Sequence, residues 1–440
     1  MSKPDSGFKV SSQIIKRMLG RKIQADRDAD ERVLSAHGRG QGSSGLSFND
    51  HPAYETIRLL KAGADRHGIA NPFFKIHEGV PGPVTRIGGK EYLNFSHYNY
   101  LGLAGHPEVN AAAVKAIETY STSVSSSRLV SGERPVQRQL EKALAQLYGV
   151  DDCVVFVSGH ATNIATISTL FGPKDLVVHD SLVHNSILEG IKLSGATRRS
   201  FPHNDHSALD ALLGELRPRF ERALVVVEGL YSMDGDIPDL PALVAIKKRH
   251  RAFLMVDEVH ALGVLGASGG GIWEHYGLPG TDVDIWMGAF SKTLASCGGY
   301  IAGSSALVDI LKYAAPGFVY SVGISPPLAA ASLEALRIMA REPERVSRLR
   351  ERGQLFLRLA REAGLNVGTS RGFSVVPVIL GSSRKAVTLS NRLFENGINV
   401  QPIMHPAVEE KAARLRFFFS SEHSEQSIRD ACGALIQLAR

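Results

Sequence analysis

Cysteine is scarce: the chain has three in 440 residues, Cys153, Cys297 and Cys432. They share no metal-ligand spacing, and Cys153 sits in an apolar run, so neither a disulfide framework nor a thiolate metal site is expected. They read as reduced thiols, which together with the next two absences places the chain in the cytoplasm. No apolar stretch reaches the roughly 18 residues that a bilayer span needs, and Met1 is followed by polar residues rather than a signal core. Charge of one sign is not in large excess either: 50 basic against 44 acidic side chains leave +6. That is too mild to argue for nucleic acid and compatible with small anionic ligands. Internal repeats are missing. With 44% apolar and 21% charged residues the composition is that of a globular protein, and the length exceeds what one hydrophobic core fills.

The expected organisation is an extension over residues 1–50, an N-terminal segment over 51–105, a large domain over 106–305 and a smaller one over 306–440. Within the extension, Ser12–Ile23 has the spacing of a short basic amphipathic helix carrying Lys16, Arg17, Arg21 and Lys22. It reads either as a solvated arm or as a surface for an acidic partner. Residues 52–67 read as a helix, and Ile87-Gly88-Gly89-Lys90 as a hairpin tip. Helical spacing recurs over Pro107–Tyr120 and Pro135–Tyr148. Strands are then expected at Cys153–Val157, Leu176–His179, Ala223–Glu228, Phe253–Asp257, Asp284–Ala289 and Tyr300–Ala302, with helices between them, as at Ser207–Leu216 and Leu240–Arg249. Apolar strands alternating with helices mean a parallel α/β sheet covered on both faces. Beyond about residue 305 come a long helical region, Ser325–Arg361, short strands at Ser374–Ile379 and Arg416–Phe419, and a last helix at Ser424–Ala439, which together read as α+β.

Ligands bind such sheets at the carboxyl ends of the strands, and the reactive residue types fall there. Lys292 follows the strand containing Ile285-Trp286-Met287 on a turn of small residues, and Asp257 ends Phe253-Leu254-Met255-Val256, with His260 three positions on. A lysine able to form a Schiff base, paired with an aspartate for a pyridinium nitrogen, is how a protein holds and tunes pyridoxal phosphate. Three other stretches admit two readings each. Ser158-Gly159-His160 is a phosphate cradle at a helix start or a plain N-cap. His184 is a ligand contact or a satisfied structural histidine. Tyr231-Ser232-Met233-Asp234-Gly235-Asp236 is part of the site or only a turn.

In this order the segments resemble the α-oxoamine synthases, over roughly residues 75–435. The most specific pieces are Tyr98-Asn99-Tyr100-Leu101-Gly102, Ser131-Gly132, Ser232-Met233-Asp234-Gly235, Asp257-Glu258-Val259-His260 with Gly263, and Phe290-Ser291-Lys292. The resemblance implies the aspartate-aminotransferase-like fold type I, with a mainly parallel seven-stranded sheet and a smaller α+β C-terminal domain. It implies a homodimer with active sites at the interface, and decarboxylative condensation of an amino acid with an acyl thioester on coenzyme A or a carrier protein. An aminotransferase of the same fold is the alternative. By the same resemblance Lys292 would bind the cofactor covalently, Asp257 hold its ring nitrogen protonated, His260 bond its phenolic oxygen and His184 stack on its ring. Gly159, His160 and Ser232 would complete the cofactor site, Asn99 and Arg416 would meet substrate, and no metal is implied. Four positions depart from the family pattern. Ala289 stands where a phosphate-binding threonine is usual, and Ser125-Ser126-Ser127-Arg128 lacks the usual glycine. The loop Ser321–Ser325 is one residue longer, and Tyr98 replaces the asparagine of biotin-pathway members, in agreement with the serine palmitoyltransferase branch.

Overall fold

The structure, a computed structural model, describes residues 47–66 and 68–439. The basic segment Ser12–Ile23 lies outside the described residues. The chain divides into two compact units at Ile69/Ala70. In the first, the expected helix is present as α1, Pro52–Arg66.

The second unit opens with a hairpin, β1 (Val84–Ile87) and β2 (Lys90–Asn94), turned by Gly88 and Gly89, both at positive φ. Two consecutive positive φ values are what a tight hairpin turn demands, and glycine meets them without strain. Helices α2 (Pro107–Tyr120) and α3 (Pro135–Tyr148) both start on a proline, whose missing N–H costs nothing in the first turn.

From there the chain alternates β3 (Asp152–Phe156), α4 (Gly159–Leu170), β4 (Leu176–Asp180), α5 (Asn185–Ser194), β5 (Thr197–Phe201), α6 (His206–Leu216), β6 (Ala223–Glu228), α7 (Leu240–His250), β7 (Phe253–Asp257), β8 (Ile285–Ala289) and β9 (Gly299–Gly303). The seven strands form one sheet in the order β3-β9-β8-β7-β6-β4-β5, in which only β9 runs against the rest. Alternate residues of one strand serve opposite cores: Cys153 and Val155 pack on one face, Val154 and Phe156 on the other. Period-2 burial on both sides is why these segments read as continuous apolar runs. The exception is β5, which the sequence reading passed over. It is an edge strand whose Arg198 and Arg199 are exposed, and charge on a free edge discourages pairing with another chain.

The helical region expected over Ser325–Arg361 is two helices, α8 (Pro326–Arg341) and α9 (Glu344–Glu362), because Pro343 interrupts the ladder between them. A second sheet, β10 (Val375–Ile379), β13 (Arg414–Phe418) and β12 (Gln401–Ile403), is antiparallel throughout. Strand β11 (Ile398–Asn399) instead joins β2 in parallel, and so ties the start of this unit to its C-terminal part. Helix α10 (Glu425–Ala439) closes the chain. Among the described residues no helix is long and apolar enough to cross a membrane.

Candidate active site

Five strands of the large sheet deliver their next residues to one cavity of about 320 Å³. From β3 come Ser158, Gly159 and His160; from β4, His184; from β6, Glu228 and Ser232; from β7, Asp257 and His260; from β8, Lys292. The second sheet adds Arg416, and the segment after β2 adds Tyr98. A separate cavity of about 390 Å³, lined by Phe171, Phe253 and Leu307 among others, lies at the opposite ends of the strands and contains none of these groups.

Asp257 is the best-held acid of the site. Its Oδ2 accepts from Asn163 Nδ2 (3.0 Å) and its Oδ1 from Val259 N (3.1 Å). Asn163 also donates to Ser186 Oγ (3.0 Å), which meets His184 Nδ1 at 2.7 Å. One buried asparagine therefore couples the acid to the histidine at the start of α5. His184 caps that helix, its Nδ1 accepting from Ser186 N (3.2 Å), so the structural reading of this residue is true of one ring nitrogen while the ring itself faces the cavity. His260 is similarly held: Tyr100 OH lies 2.7 Å from Nδ1. Gly159 begins α4 so close to β8 that a Cβ on it would lie 2.8 Å from that of Ala289. Ser158 caps the same helix, leaving its N-terminus directed at the cavity.

Burial sets the charges. It lowers the Lys292 amine to about 8, with Asp257 opposing and Arg416 reinforcing the shift. It lowers His184 and takes His260 well below the usual imidazole range. Asp257 and Glu228 occupy facing positions on β7 and β6, and burial raises both. Two carboxylates side by side in a dry site do not both ionise. Asp257 has the closer side-chain donor, whereas Ser232 N reaches Glu228 only at 3.4 Å and burial raises Glu228 well above the usual range, so of the two acids Glu228 is the one that holds a proton more readily.

Arg416 donates to Ser232 O (3.2 Å) and Tyr98 OH (3.3 Å), and forms no ion pair among the described residues. Its Nε is buried without a partner. Its neighbour two residues earlier, Arg414, is by contrast paired with Asp234 at 2.6 Å. Tyr98 lies with its ring 4.9 Å from Lys292 Nζ.

Asn99, expected to meet substrate, stands apart from the residues that line the cavity. It is 7% exposed; its amide donates to Pro81 O (2.9 Å) and Ala104 O (3.1 Å) and accepts from Ala104 N (2.9 Å). Every polar position of that side chain is spent on shaping the loop before α2. Conversely, Glu228 was not singled out from the sequence, and Asn163 and Tyr100 were given no role of their own there. Glu228 had a readable signal, a carboxylate closing an apolar strand just as Asp257 does.

The profile of the aminotransferase class I and II family matches residues 90–435. The chain is 36% identical to an 8-amino-7-oxononanoate synthase of Symbiobacterium thermophilum, over 86% of this chain and 96% of that one. It is 34% identical to a serine palmitoyltransferase of Bacteroides thetaiotaomicron, over 83% and 92%. A solved serine palmitoyltransferase from Sphingomonas wittichii superposes with a TM-score of 0.84 at 28% identity, covering 89% of this chain and 98% of that one. The chain belongs to the α-oxoamine synthase family. This synthase is a pyridoxal-phosphate-dependent acyltransferase of fold type I. The site fits the cofactor on its own terms. The synthase offers an amine of lowered basicity, a buried carboxylate held by an amide, and a helix N-terminus for a phosphate.

Proposed function

We propose that the chain condenses an α-amino acid with an acyl thioester, with loss of carbon dioxide, to give an α-aminoketone. The observation that carries this reading is Arg416, a cavity guanidinium that has no acidic partner among the described residues and stands beside the Lys292 amine. A half-buried cation left without an acidic partner is a place for a ligand's anion, and the planar fork of arginine matches a carboxylate.

Bound pyridoxal phosphate supplies the electron sink that both carbon–carbon bond formation and decarboxylation need. The protein's groups divide the remaining work. Lys292 would hold the cofactor covalently, and as a free amine it would take the proton from Cα, since an amine at about 8 is deprotonated often enough to act as a base near neutral pH. Asp257 keeps its charge toward the ring nitrogen, and Glu228 stays neutral beside it. His260, with Nδ1 given to Tyr100, would offer its other nitrogen to the cofactor's phenolic oxygen, and His184 would stack on its ring. Gly159 and His160 meet the cofactor through their backbone at the start of α4, with Ser232 nearby, and Arg416 takes the substrate carboxylate. The assembly is a homodimer with its sites at the interface.

The acyl group is one other than pimeloyl, on coenzyme A or a carrier protein. Identity to 8-amino-7-oxononanoate synthases runs from 33% to 40%, against 34% to the serine palmitoyltransferase, so overall likeness leans toward the first and the choice of acyl group rests on the site. Tyr98, where the biotin-pathway members have asparagine, supports the second branch, and it stands in the cavity beside Lys292 and Arg416. The test is to incubate the purified protein with an amino-acid panel and acyl thioesters of graded length. Free thiol and carbon dioxide released in equal amounts support the reading. Formation of a keto acid with no thiol released would identify an aminotransferase instead.

A further inference from the structure

Outside the cavity, three strand ends meet at His203, which follows β5. Its Nδ1 lies 3.0 Å from Asp180 Oδ1, and its Nε2 lies 3.0 Å from Asp236 Oδ2. Asp180 is 1% and Asp236 5% exposed. Burial would lower the imidazole, but the hydrogen bonds and charges of the two aspartates outweigh it and raise His203 to about 10. It therefore stands as a cation between two buried anions. Asp180 closes β4, and its Oδ1 also accepts from Leu182 N (2.8 Å), at the start of the turn into His184. Asp236 closes the turn after β6: Tyr231 N donates to Asp236 O (3.0 Å) and Gly235 N to Tyr231 O (2.8 Å). The cavity end of that turn is Ser232-Met233, and Arg416 Nη1 rests on it, donating to Ser232 O and touching Met233 Sδ at 3.2 Å. Thr369, from the segment before β10, donates to Asp236 Oδ2 (2.8 Å) and ties the same acid to the second sheet.

We propose that His203 is a positioning residue for the amino-acid carboxylate: by locking Asp236 it fixes the Ser232-Met233 turn against which the Arg416 guanidinium is set. The inference rests on the assignment of Arg416 to that carboxylate. A neutral residue at 203 leaves two buried acids repelling each other, the turn shifts, and Arg416 loses its aim while Lys292 and Asp257, held by other strands, keep theirs. The expected signature is selective. Binding of a ligand with a carboxylate suffers, and binding of one without it does not.

The experiment compares holoenzyme and His203→Gln for binding of L-alanine and L-serine and of their carboxylate-free counterparts, ethylamine and ethanolamine. Binding is read from the absorbance of the bound cofactor, without any acyl donor. The substitution is expected to weaken the amino acids about tenfold, the order of a lost charge-assisted contact, while the amines change less than about twofold and cofactor content is unchanged. In an Arg416→Lys background the same substitution is expected to add little, since coupled residues are not additive. Equal weakening of amino acids and amines, parallel loss of cofactor, or full additivity with Arg416→Lys would overturn the proposal. If His203→Gln does not fold, Thr369→Val loosens Asp236 from the other side; a smaller loss with the same selectivity supports the proposal, and no selectivity overturns it. Wild-type protein that binds amino acids no better than amines would remove the Arg416 assignment itself, and this inference with it.

Discussion

Two pairs of buried carboxylates sit near the ends of the same parallel strands and are treated in opposite ways. Asp180 and Asp236 have a cation of the protein's own between them, His203. Glu228 and Asp257 face each other across β6 and β7 with no ion pair to either among the described residues; the Asn163 amide and backbone N–H groups hold them, and the Lys292 amine acts on them only from farther off. A pair bridged by the protein's own cation is finished and serves as a clamp. A pair held only by neutral donors must either keep a proton or wait for a cation from outside, and the second pair lines the cavity where a pyridinium is to be held. Buried charge left incomplete by the fold is thus a better mark of the site than buried charge as such.

The sharpest break comes from Lys292. Lys292→Ala is expected to abolish turnover and covalent cofactor attachment while leaving the thermal transition near that of the apo wild type, because the side chain ends a strand instead of filling a core. Borohydride reduction followed by peptide mapping checks it; a label on another lysine would remove the assignment. Next in size is Asp257→Asn. A neutral amide cannot keep the ring nitrogen protonated, and a lost charge contact of this kind costs on the order of 3 kcal/mol of transition-state stabilisation, about a hundredfold or more in kcat. A rate within about tenfold of wild type would show that the second pair is no more functional than the first.

The places of Lys292 and Asp257 were legible from the strand pattern itself, whereas His184 and His260 were given roles only by the family resemblance. Each stands just past an apolar run, and such runs can only be strands buried on both faces, whose ends open on a common edge. The seven-stranded sheet followed from the same pattern, except for β5, whose Thr-Arg-Arg-Ser carries no apolar signal because an edge strand needs none. The contacts of Asn99 with Pro81 and Ala104 were not legible, because no spacing rule connects those residues to it. His203 went unseen for a related reason: its partners lie 23 and 33 residues away, in other strand–helix turns.

The clamp should show in stability more than in chemistry. His203→Leu strands two buried acids, and breaking such a group costs about 3 kcal/mol, the low end of the usual range because 21% of the imidazole is exposed. Urea unfolding of the holoenzyme checks this, and a loss below about 1 kcal/mol would mean that the acids repair themselves. The pH dependence has a definite sign. The folded value of His203, about 10, lies above the ordinary 6.5, so its contribution is complete below about pH 6.5 and fades as pH rises through 10. Wild-type stability is expected to fall across that window by more than that of His203→Gln; parallel curves would show that the imidazolium is not the linked group.

The smallest expected effect tests the other pair from its protonated side. If Glu228 carries the shared proton, Glu228→Gln replaces one neutral hydrogen-bonding group by another of nearly the same shape, and Asp257 keeps its charge. The rate should then stay within about fivefold of wild type, less than ~1 kcal/mol, far from the loss at Asp257→Asn. Glu228→Asp makes the comparison stricter, since it restores an ionisable group but draws it back from Ser232 N. A loss at Glu228→Gln as large as at Asp257→Asn would mean that the charge is divided between the two acids. The contrast with the His203 clamp would then rest on the imidazolium alone.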